Sequence, residues 1–135
     1  MRTRHYVAIA VLWTLGVLLA LFLPLSGAQT VALSWADKIV HAGLFAGLGV
    51  FWMRATRRPL WGLEPPSLSV RGLFVAMGCG AFAILTEVGQ SVLLTSRRGE
   101  PLDAVADLVG LALAVGAYLL RGEKSDPEVE REENA

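Results

Sequence analysis

The sequence predicts an all-α membrane protein, a four-transmembrane-helix bundle with both termini cytoplasmic. Three observations lead there. The 135 residues are 54% hydrophobic and 18% charged, with a mean hydropathy of +0.53, unlike a typical small soluble domain. Four apolar windows approach the roughly 20 residues that cross a bilayer at about 1.5 Å per residue. Finally, the basic residues divide unevenly between the two sides that four crossings define.

The first window runs from Tyr6 to Leu23, after Arg2 and Arg4. A competing reading is a cleaved signal peptide, because Ser26-Gly27-Ala28 offers small residues to a peptidase; the apolar run is long for that role. Pro24 to Ser34 forms a short loop before the second window, Trp35 to Met53. Arg54 to Arg71, with Arg57, Arg58, Pro59, Pro65 and Pro66, reads as a second loop. The third window is Gly72 to Thr95, Ser96 to Glu100 is a tight polar turn, and the fourth window is Pro101 to Leu120. Residues 1–120 thus make one membrane domain. Arg121 to Ala135 is Glu-rich with almost no hydrophobes and reads as an acidic, disordered cytoplasmic tail.

Orientation follows from charge. Arg2, Arg4, Arg54, Arg57, Arg58, Arg71, Arg121, Lys124 and Arg131 share one side, against Lys38, Arg97 and Arg98 on the other. The positive-inside rule puts the richer side in the cytoplasm. The formal net charge is zero, and no nucleic-acid partner is expected. The single cysteine, Cys79, lies in an apolar run, so it reads as a packing residue and excludes an intrachain disulfide. Trp35, Trp52, Trp61, Tyr6 and Tyr118 fall where interfacial aromatic belts are expected, whereas Trp13 is mid-helix and reads as packing.

The windows carry ionisable groups where lipid would favour Leu or Val: Asp37, Lys38 and His41, then Glu87 and Gln90, then Asp103 and Asp107. A charge at mid-bilayer costs roughly 2.5–3.5 kcal/mol, so such groups point to function. Each pair sits at i,i+3 or i,i+4 and projects from one face of its helix. Leu108 to Leu120 covers only about 20 Å of a core about 30 Å thick, which draws Asp107 below the outer surface. Glu87, eight residues before Thr95, lies deeper. All converge on one outer level. Gly43 and Gly47 form a G-x-x-x-G pair beside His41 and Gly110 follows Asp107, spacings that permit close helix contact.

In order, Asp37-Lys38-x-x-His41, Glu87-x-x-Gln90, Arg97, Asp103-x-x-x-Asp107 and Gly110 resemble the motifs of the VanZ-like family of small polytopic bacterial membrane proteins. The match spans Asp37 to Gly110, with Arg98 an alternative to Arg97. The family usually has Asn where this chain has Asp107. The resemblance implies the bacterial cytoplasmic membrane, a place in the cell envelope and a link to resistance to the glycopeptide teicoplanin. Gly99-x-x-x-Asp103-x-x-x-Asp107 also repeats half of the CDP-alcohol phosphotransferase signature, whose other half is missing here.

The polar set admits several uses. It suits an outward-facing site that binds or acts on a membrane lipid or lipid-linked cell-wall precursor. Glu87 or His41 is then the general base, and Arg97 clamps a phosphate or carboxylate. Whether the site is catalytic stays open. A proton-coupled carrier or flippase is the alternative, needing a homo-oligomer; a non-catalytic accessory protein with a structural ion network is the third. No cofactor is expected: His41 as the only histidine of the polar set, with no thiolate beside it, disfavours zinc, and Mg²⁺ is a minor option.

Overall fold

The computed structural model describes residues 3–22, 33–57, 65–93 and 101–122. The described residues form four helices and no strand: α1 (Thr3–Phe22), α2 (Leu33–Ala55), α3 (Leu68–Leu93) and α4 (Pro101–Arg121). The described residues are all-α, as the sequence predicts. α1, α3 and α4 are long and apolar enough to cross a membrane. The aromatic and basic residues expected at Trp61, Arg58, Arg97 and Arg98, and nearly all of the acidic tail, lie outside the described residues.

Local chemistry explains the helix ends. α3 starts four residues earlier than its apolar window because Pro65-Pro66 is the true break. Ser67 then accepts the first helical bond, from the Arg71 amide at 2.9 Å. Arg71, expected in a cytoplasmic loop, is therefore a helical residue and is buried, 2% exposed. α4 ends where Gly122 takes φ 65°, the left-handed conformation in which a glycine closes a helix.

Contacts between helices give the topology. Lys38, His41 and Arg54 of α2 meet Asp103, Asp107 and Tyr118 of α4, a nearly constant offset that makes these two helices parallel and in register. Gly80 faces Leu108 while Gly72 faces Leu119 and Val115, so α3 and α4 are antiparallel. The Trp13 indole donates to the Leu44 carbonyl at 3.0 Å and the Trp52 indole to Thr14 Oγ1 at 3.1 Å, tying α1 to α2. Trp13 thus packs, as expected of its mid-helix position. The result is an up-down-up-down bundle in which α2 is central: it packs most extensively on α4, while α1 and α3 barely touch.

The core between the helices contains Val17, Leu21, Phe45, Leu48, Met53, Val75, Cys79, Ala83, Leu111 and Val115. Its outer surface is equally apolar, with Leu12, Ile39, Phe74, Leu85, Val92 and Leu113 all exposed. A contiguous apolar exterior of this kind suits lipid contact and not water.

Candidate functional site

The polar site forms where the starts of α2 and α4 lie side by side. In each helix the acidic residue of the pair sits one turn from its partner, so both project from one face. Lys38 Nζ donates to Asp103 Oδ1 at 3.1 Å. One turn further in, His41 Nδ1 lies 3.0 Å from Asp107 Oδ1. A carboxylate oxygen accepts, so in this contact Nδ1 carries the proton that Asp107 receives. His41 and Asp107 are almost wholly buried, 1% and 0% exposed, and Asp103 is 6% exposed.

Close backbone approach makes these bonds reachable. At Gly110 a Cβ would overlap the carbonyl oxygen of Ala42, and at Gly49 it would crowd Ala114 Cβ at 3.0 Å. Glycines, one from each helix, therefore bring α2 and α4 together just beyond the His41–Asp107 pair. The expected role of Gly110 is met. The G-x-x-x-G pair behaves differently: Gly47 accommodates the Trp13 ring, while Gly43 faces open space and mediates no contact between the described helices.

Asp37 completes the cluster from the first turns of α2. One ligand atom from each of Asp37, His41 and Asp103 lies within 4.8 Å of the other two. Asp37 is half-buried. Within the cluster, His41 Nε2 and Asp107 Oδ2 are buried atoms without a hydrogen-bond partner among the described residues.

The structure therefore brings together Asp37, Lys38, His41, Asp103 and Asp107, the α2 and α4 members of the sequence-derived set. Gln90 has another task. It is buried, and its Nε2 donates to the Leu21 carbonyl at 2.8 Å, closing one of the carbonyls that the end of α1 leaves without a helical partner. Glu87 is half-buried one turn earlier on α3, at the same end of the bundle. Arg97, assigned to the site by its distance from Asp103, lies outside the described residues, as does Arg98. Sequence reasoning missed the burial of Arg71; the signal was the Pro-Pro-Ser start just before it, which makes that arginine helical.

No family model matches the chain, and neither a curated protein nor a solved structure matches it.

Proposed function

We propose that this chain is a VanZ-like multi-pass protein of the bacterial cytoplasmic membrane. α2 is its fourth span, both termini are cytoplasmic, and the polar end of the bundle faces outward. There it binds the head group of an envelope lipid or lipid-linked cell-wall precursor. The observation that carries this reading is the burial of His41, Asp103 and Asp107, with half-buried Asp37 and Lys38 beside them, at one end of a bundle whose exterior is apolar. Charges are costly at such depth and are kept where a polar ligand has to be met. Arg97, in the connection just before α4, supplies the fork that pairs with a phosphate or carboxylate. The teicoplanin link is carried by the resemblance and belongs to the same proposal.

The test is native mass spectrometry of protein released from its own membrane, comparing wild type with an Arg97→Ala, Glu87→Gln double variant of equal thermal stability. A co-purifying lipid that is lost in the variant supports the head-group site and identifies its class. Absence of bound lipid in both proteins overturns it.

A second reading is favoured by the two ion pairs themselves, which link α2 to α4 in register. In that reading the cluster is a structural network, and removing Lys38 or Asp103 lowers stability without changing any bound lipid.

A further inference from the structure

The geometry points to a divalent-cation site made by Asp37, His41 and Asp103, oriented by Asp107. Two independent features converge on it. The first is spacing: the three ligand atoms lie within 4.8 Å of one another. Three ligands about 2.0–2.2 Å from one ion lie roughly 3–4 Å apart, so side-chain rotations that draw the set in by about 1–2 Å close it on one ion.

The second feature is the imidazole. Its Nδ1 is held by Asp107 at 3.0 Å, and its Nε2, in a side chain buried from solvent, has no hydrogen-bond partner among the described residues. A carboxylate on one ring nitrogen orients the ring and leaves the other nitrogen as the one a metal takes, with release of any proton it carries. Asp107 is thus a positioning residue and not a ligand.

Two carboxylates with one imidazole are oxygen-rich, which suits Mn²⁺ or Mg²⁺ better than a thiolate-seeking ion. The polar set holds a single imidazole, from which no metal is expected; the structure adds carboxylates to it by bringing α4 against α2. Lys38 is the competitor. Its ammonium holds Asp103 Oδ1 at 3.1 Å and shares or yields that oxygen when the ion enters. Positions left open on the ion suit a phosphate oxygen, a step that rests on the head-group reading, whereas the cation site itself does not.

The experiment uses the full chain in detergent, stripped with chelator and titrated with Mn²⁺ alone, with free Mn²⁺ followed by electron paramagnetic resonance. The expected result is one Mn²⁺ per chain, with a nitrogen coupling in the spin-echo modulation from the bound imidazole of wild type. Asp37→Asn, at a half-buried position, weakens binding at least about tenfold, the cost that loss of even an outer partner carries. Lys38→Met tightens it. Saturable binding absent up to millimolar Mn²⁺, binding without nitrogen coupling, or weaker binding in Lys38→Met overturns the assignment. Because no lipid is added, failure of the head-group reading leaves these outcomes unchanged.

Discussion

Gly110 of α4 lies directly against the Ala42 carbonyl of α2, leaving no room for a single methyl group. The approach holds the two polar helices at the distance their ion pairs require. Gly110→Ala pushes them apart and lowers stability by roughly 1–3 kcal/mol, the usual cost of overpacking. Gly43→Ala, in open space on α2, is neutral or stabilising by up to about 1 kcal/mol through helix propensity. Thermal unfolding of both variants in one detergent checks the contrast; equal losses would refute the close contact.

The buried His41–Asp107 pair sets a second expectation. Asp107→Ala strips the acceptor from Nδ1 in a buried site and costs about 2–3 kcal/mol. Asp107→Asn keeps an acceptor oxygen at the same place and loses only about 1 kcal/mol. Chemical denaturation of the two variants distinguishes them, and an Asn variant as unstable as the Ala variant would show that the carboxylate charge, not the acceptor, is what matters.

Gln90 tests how the end of α1 is held. Gln90→Leu leaves the Leu21 carbonyl without its donor, and the expected loss is about 1–3 kcal/mol. Because that bond joins α3 to α1, Mn²⁺ affinity at the α2–α4 cluster stays within twofold, roughly the noise of non-additive effects between separated sites. A large fall in Mn²⁺ affinity would place Gln90 in the cluster after all.

Much of this was legible in the sequence, and the reasons for the remainder are physical. Four helices follow from window length, and the pairing of Asp37 with His41 and of Asp103 with Asp107 follows from helical spacing. Which helices face each other does not. In a soluble helix the polar face marks the outside, but here Leu85 and Phe74 on the exterior are as apolar as Val75 and Ala83 in the core. Rotation about each axis is therefore hidden, which is why Gln90 looked like a site residue before its backbone partner was visible. Gly43 was similarly grouped with Gly47, although only the second has a neighbouring helix over it. Charge suggests a loop at Arg71, while the actual break is the Pro-Pro step upstream.

Orientation is open to direct labelling. In a Cys79→Ala background, Trp35→Cys reacts with a membrane-impermeant thiol reagent added outside intact cells, and Arg57→Cys reacts only after permeabilisation. Trp35 is highly exposed at the polar end, whereas Arg57 follows the far end of α2. The reverse labelling pattern would invert the proposed topology.

α2 differs from its three neighbours in being burdened with Asp37, Lys38 and Arg54, and it falls outside the helices apolar enough to span on their own. Its ionic partners are on α4, 65 and 66 residues later in the chain. At a synthesis rate of roughly 5–20 residues per second, those partners leave the ribosome about 3–13 s after α2 does. On the proposed topology, α2 has no counter-charge from α4 when it first reaches the bilayer. Biogenesis then runs out of chain order: α1 and α3 can settle as they are made, and α2 enters hydrocarbon fully only when α4 arrives to accompany it.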